Sequence, residues 1–225
     1  MSVIIAGRFD IVNKKLVSVT DESLDAIIKE YDYSKDNNEN KDLKFYHMLD
    51  IGGNMITSIS LNSISKYFLH ITELYLINNE FKEIPEEINN LVNLKKLYFS
   101  KNKLTKISNI DKLEKLEVID FRANRITNLS GIENNLNLMS ISISNNLVSN
   151  IDDIPKLLKL QSLFLFSSHI PNLESFLNIL STRCPNIEKL LIDSSTMIND
   201  SNKSTYKDLV KQALPKIKLL DYTKM

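Results

Sequence analysis

The chain has 225 residues, 43% of them apolar and 25% charged, which is enough for one sizeable core in an ordinary globular domain. Its 28 basic residues balance 28 acidic ones, which removes the electrostatic case for a dedicated nucleic-acid binder. A single cysteine, Cys184, excludes a disulfide framework and a multi-cysteine zinc site, and four glycines cannot write a phosphate-cradling loop.

Residues 1–44 stand apart as an N-terminal cap. Short β-prone runs around Asn13, Lys14 and Lys15 predict a hairpin within residues 2–19. Leu24, Ile27, Ile28 and Tyr31 fall at helical spacing, with Thr20 or Asp21 as N-cap. Residues 34–42 (SKDNNENKD) contain no apolar side chain and read as a mobile loop. No apolar run in the chain approaches a membrane span, and Val3 to Ala6 is too short for a signal peptide.

From residue 45 to residue 197 one pattern recurs, L-x-x-L-x-L-x-x-N-x-L with aliphatic or aromatic swaps. Asn54, Asn79, Asn102, Asn124 and Asn146 close five copies, and Ser168 and Ser195 close two more. The inner x-L-x-L-x of each copy predicts a short strand whose apolar residues point inward and whose alternate residues point out. One copy cannot bury enough surface to fold alone, so neighbours must share faces. A buried asparagine offers both donor and acceptor to adjacent turns, whereas serine reaches less, so the ladder is expected to weaken at Ser168 and Ser195. Apolar residues at 173, 176, 177 and 180 predict a helix on the far side of the sheet, accommodating the long step of 27 residues before Ser195. Residues 198–225 read as a C-terminal cap, with Tyr206, Leu209, Val210, Ala213 and Leu214 at helical spacing, Thr205 as N-cap and Pro215 as terminator.

These repeats resemble the leucine-rich repeat proteins. The 22-residue period and the Y-x-x-L…L-P-x-I-x-x-L-D cap resemble their short intracellular subfamily, which includes the type-one phosphatase regulator, the spliceosomal A-prime protein and the acidic nuclear phosphoproteins. The resemblance implies an α/β fold: a right-handed horseshoe solenoid with a parallel concave sheet, seven repeats and terminal caps. It implies a non-enzymatic scaffold that binds a protein partner, as a phosphatase-regulatory or adaptor subunit. The alternative is a ribonucleoprotein subunit like the A-prime protein. An intracellular, cytoplasmic or nuclear monomer is expected, with no cofactor, no membrane attachment, and nucleic-acid contact at most indirect.

The chemistry-bearing residues offer no catalytic or metal site. His47, His70 and His169 form no ligand-spaced pair, and Cys184 reads as a small buried hydrophobe. Asp50 and Asp120 share an outward column but lie three strands apart, about 14–15 Å, too far to act on one bond. The outward columns do carry candidate partner-binding residues. Tyr75, Ile77 and Tyr98 make an aromatic–aliphatic patch, and Asp120 lies beside them. Lys96, Lys101, Lys103, Arg122 and Arg125 make a basic band with acids close by. Phe164 and Phe166 set two rings on one copy where solvent is otherwise expected.

Overall fold

An isolated three-residue strand leaves its backbone donors and acceptors unsatisfied, so the copies must pair edge to edge. In the computed structural model, which describes residues 8–33, 46–60, 64 and 67–225, they do so in one continuous ladder. The strands are β1 (Arg8–Asp10), β2 (Ser18–Val19), β3 (Met48–Asp50), β4 (Ser58–Ile59), β5 (Glu73–Tyr75), β6 (Lys96–Tyr98), β7 (Val118–Asp120), β8 (Ser140–Ser142), β9 (Ser162–Phe164), β10 (Lys189–Leu191), β11 (Leu219–Leu220) and β12 (Thr223–Lys224). Ten of them form a single sheet in the order β1-β3-β5-β6-β7-β8-β9-β10-β11-β12, while β2 and β4 pair separately. Every pair is parallel except β11 with β12.

The register stacks like on like. Leu49, Leu74, Leu97, Ile119, Ile141, Leu163 and Leu190 are direct partners along the sheet, and all are buried. At ~1.5–3 kcal/mol for each fully buried side chain, this column and its neighbours carry the fold. Behind them Phe81, Phe99 and Phe121 form an aromatic spine with edge-to-face contacts at 5.3 and 6.2 Å.

The asparagines tie coil to coil. Asn124 Nδ2 donates to Phe121 O in its own coil and to Phe99 O in the preceding one, both at 3.0 Å, while its Oδ1 accepts from Leu104 N at 2.9 Å. Asn79, Asn102 and Asn146 repeat this arrangement. At the two serine positions the hydroxyls bond each other: Ser168 Oγ donates to Ser195 Oγ at 2.9 Å, and Ser195 Oγ donates to Leu165 O at 3.0 Å. One hydroxyl at Ser195 thus serves as donor to the preceding coil and as acceptor from Ser168 N.

The expected hairpin is not formed by residues 8–19. β1 pairs with β3 and β2 with β4, both in parallel, because this segment is itself a further coil. Phe9, Ile11, Leu16 and Val19 occupy the apolar frame, and Asn54 Oδ1 accepts from Leu16 N as Asn79 Oδ1 does from Ile56 N. The helix α1 (Asp21–Tyr33) follows, with Thr20 and Ser23 exchanging N–H to hydroxyl bonds in a capping box. The loop expected over 34–42 lies outside the described residues.

On the far side, α2 (Leu173–Arg183) buries Leu173, Phe176, Leu177 and Leu180, and Asn172 caps it through Ser175 N. The terminal helix α3 (Tyr206–Ala213) differs from expectation at its start, since Thr205 makes no side-chain cap bond. Asp221 ends the array by accepting Ile192 N and Asp193 N at 2.7 and 2.9 Å.

Candidate functional site

The open face of the sheet is built from the residues that alternate with the core. The strand register aligns Asp10, Asp50, Tyr75, Tyr98, Asp120, Ser142, Phe164 and Leu191 in one column. Tyr75 and Tyr98 are direct partners, and their rings stack at 4.3 Å with planes 12° apart. The Arg8 guanidinium sits 5.9 Å from the Tyr75 ring centre.

Charge on β1 to β7 is tightly paired. Arg8 bridges Asp10 and Asp50 at 2.6 and 2.5 Å. Glu73 accepts from Lys96 at 2.9 Å and from the Tyr75 hydroxyl at 2.8 Å. Asp120 takes Nε and Nη2 of Arg122 at 2.9 and 2.7 Å. Asp50 and Asp120 also fold back to accept the N–H two residues on, from Gly52 and Arg122. That is why both are buried although their column faces outward.

These environments set the protonation states. Burial drives the Tyr75 phenol well above its ordinary range, and the hydrogen bond to Glu73 adds to it. Burial pulls Glu73 upward, but the bonds from Lys96 and Tyr75 outweigh it and leave the carboxyl below the usual value. Burial raises Asp50, opposed by the Gly52 N–H and by Arg8. Tyr75, Glu73 and Lys96 therefore move away from neutrality, the opposite of what acid–base work at pH 7 requires. Among the described residues no group of three or more His, Cys, Asp or Glu side chains converges on a metal position.

Tyr75, Ile77, Tyr98, Phe164 and Phe166 are all half-buried, with part of each side chain in solvent. Tyr75, Ile77 and Tyr98 are brought together on β5 and β6, whereas Phe164 and Phe166 lie three strands beyond Tyr98. Asp120 is covered by Arg122, whose own side chain is 56% exposed against 8% for the carboxylate. In the basic band, Lys96, Lys103 and Arg122 are paired with Glu73, Glu80 and Asp120. Lys101 and Arg125 make no ion pair with any described residue.

Two features of this face escaped the sequence. Arg8 and Asp10 extend the charged network by one strand, and the signal was Phe9-x-Ile11 followed by Leu16 and Val19, the apolar frame with Lys14 in place of asparagine. Tyr222, in a left-handed turn conformation at φ 63° and 76% exposed, stands at the far end of the sheet. No described helix is long and apolar enough to cross a membrane. Two hollows of about 380 and 280 Å³ lie elsewhere, beside Leu158 and beside Phe176, and neither reaches these residues.

Away from the face, burial raises the Cys184 thiol from 9.0 to about 11, and burial together with the Asp221 carboxylate raises Tyr206 from 10.0 to about 12. A group held protonated in the fold stabilises it fully below its unfolded pKa and ceases to as pH rises through the folded value. Unfolding free energy is therefore expected to fall from pH 9 to pH 12, by about 2 kcal/mol through Cys184 alone. Denaturant titrations of the parent, Cys184→Ala and Tyr206→Phe across that range check this. Variants whose deficit relative to the parent does not shrink with rising pH would refute it.

The family of Leucine Rich repeats (2 copies) matches residues 92–134. No curated protein sequence matches the chain. Among solved structures, internalin C2 of Listeria monocytogenes superposes with a TM-score of 0.65 at 22% identity, covering 89% of this chain and 76% of its own. A leucine-rich-repeat protein of Leptospira interrogans gives 0.58 at 22% identity, over 78% of this chain and 49% of that one. TLR13, in a complex with ssRNA13, gives 0.70 at 18% identity, over 92% of this chain and 27% of that one. At these identities the likeness is one of fold: this is a leucine-rich-repeat solenoid.

Proposed function

We propose that this leucine-rich-repeat protein is a non-enzymatic scaffold that holds another protein against its concave sheet face, acting as a phosphatase-regulatory or adaptor subunit. Tyr75, Ile77, Tyr98, Arg122, Phe164 and Phe166 are the contact residues, and Asp120 fixes Arg122. The supporting observation is the unbroken ladder, which holds half-exposed rings of several strands in fixed columns. Groups positioned before binding lose little entropy on binding, so a rigid array of this kind gains affinity without reorganising. Aromatic side chains bring large contact area at small entropic cost, which suits them as anchors. The one free thiol suits a reducing, intracellular compartment, and a monomer leaves the face open. The ssRNA is bound by TLR13 in its own complex; here three of the five residues in the basic band are already neutralised, which favours a protein partner.

Affinity capture from native lysate with identification by mass spectrometry tests the reading. The double variant Phe164→Asp, Phe166→Asp is expected to lose the partners that the parent retains, with a melting temperature lowered by only a few degrees, roughly 1 kcal/mol. Equal capture by parent and variant would sink it. A collapse in stability would instead assign the two rings to the core.

A further inference from the structure

The concave face divides at β8. On β1 to β7 the outward charges answer one another, whereas on β8 and β9 the outward residues are Ser140, Ser142, Ser144, Ser162, Phe164 and Phe166, none charged. Serines fill all three outward positions of β8, and Ser144 lies flat, its Oγ accepting from Phe166 N at 3.1 Å. Short side chains between taller neighbours leave a trough one strand wide. Its N-terminal wall is Arg122, whose Nε and Nη2 are committed to Asp120 while Nη1 has no described partner. Lys101, whose backbone N–H bonds Arg122 O from the preceding coil, adds an unpaired positive charge behind this wall, and Arg125, three residues on from Arg122, is a second unpaired cation on the same coil. The opposite wall is Phe164 and Phe166.

We infer that this trough takes an acidic–apolar segment of a protein partner: a carboxylate against Arg122 and Lys101, and a bulky apolar side chain against Phe164 and Phe166. The inference rests on the concave-face reading above and adds the partner's chemistry to it. Charge complementarity carries it. Once internal ion pairs are discounted, the charge left at the Arg122 end is positive, whereas Asp193, which makes no ion pair with a described residue, lies beyond Phe166 at the opposite wall; a carboxylate is therefore directed to the Arg122 end, where it can use the guanidinium edge that Asp120 leaves open. Asp120 holds Arg122 in place beforehand, so less rotamer freedom is lost on binding. The walls are two strands apart, roughly 10 Å, which an extended segment spans in about three residues. The recognition pattern is therefore Asp or Glu followed or preceded, three positions away, by Phe, Leu, Ile or Trp.

The test is a random twelve-residue peptide library displayed on phage and panned on the full chain. Selected peptides are then titrated on the parent, on Lys101→Glu/Arg125→Glu, and on Phe164→Asp/Phe166→Asp. The first double variant leaves the Asp120–Arg122 pair and every other described ion pair intact, so folding is preserved. Enrichment of the acidic–apolar pattern is expected, with affinity at least about ten-fold weaker in the charge-reversed variant and restored when the peptide's acid is changed to lysine. Peptides that need the phenylalanines but ignore the charge reversal overturn this inference and leave the concave-face reading standing. Peptides that bind all three proteins equally overturn both. A library from which nothing is enriched also overturns the inference, since a short linear segment is then not what the trough accepts.

Discussion

Replacing Asn124 by alanine is expected to lower the unfolding free energy by about 2 kcal/mol, because three backbone groups each lose a hydrogen bond: Leu104 N is left orphaned, at ~1–3 kcal/mol, while Phe99 O and Phe121 O keep the bonds from Asn102 and Asn146. The groups are Phe99 O, Phe121 O and Leu104 N, and they belong to two coils, so the loss falls on the joint between them. Alanine offers neither donor nor acceptor, and the site is buried, which keeps water from restoring the bonds fully. Asn124→Ser should lose less than Asn124→Ala, because Ser195 shows a hydroxyl both donating to the preceding coil and accepting an N–H from it. Urea titrations of the three proteins read the difference directly. A parent-like midpoint for the alanine variant would mean that the coil joints are held by apolar stacking alone.

The same ladder explains how far the sequence could be read. An apolar frame repeated every 22 residues fixes which side chains face in, because a strand alternates strictly and a slip of one residue would bury every outward group. The outward columns of β3 and β5 to β10 were therefore legible position by position. The first coil was not, and the reason is physical. An asparagine in this frame reaches back to the preceding coil; in the coil of β1 its place is taken by Lys14, and the joint to the next coil is made instead by Asn54, which accepts Lys14 N and Leu16 N. At the other end Asp221, directly after β11, accepts the N–H groups of Ile192 and Asp193 from a tight turn that the periodicity does not encode. Side-chain pairing on the open face was equally hidden. That Asp50 and Asp120 turn back onto backbone N–H groups, and so become buried, depends on rotamers rather than on spacing. A further ladder also lies outside the apolar frame: Asn93, Asn137 and Asn186 donate to Leu69 O, Glu114 O and Leu158 O while accepting from Lys115, Lys159 and Lys216. It accounts for part of the chain's abundance of asparagine.

Gly131→Ala is expected to cost about 3 kcal/mol or more and to lower the melting temperature by roughly 10 °C, at ~2–4 °C per kcal/mol for a chain of this size. Two penalties coincide there. The residue holds φ at 96°, a conformation that a side chain disfavours, and a Cβ would sit 2.2 Å from Ile107 O, in the backbone of the preceding coil. The obstacle is main chain rather than the end of a flexible side chain, so relief requires the two coils to separate, and Ile107, Leu129 and Ile132 are buried in that joint. The preceding coil shows the alternative solution. Asn109 takes the corresponding position at φ 58° and its Nδ2 bonds Ile84 O at 2.6 Å. Gly131→Asn can approach that geometry, since asparagine tolerates the left-handed region better than other residues with a side chain. It should therefore be the milder of the two substitutions. Thermal unfolding of both variants ranks them, and an alanine variant within about 0.5 kcal/mol of the parent would show that the coils are looser at this joint than their packing implies.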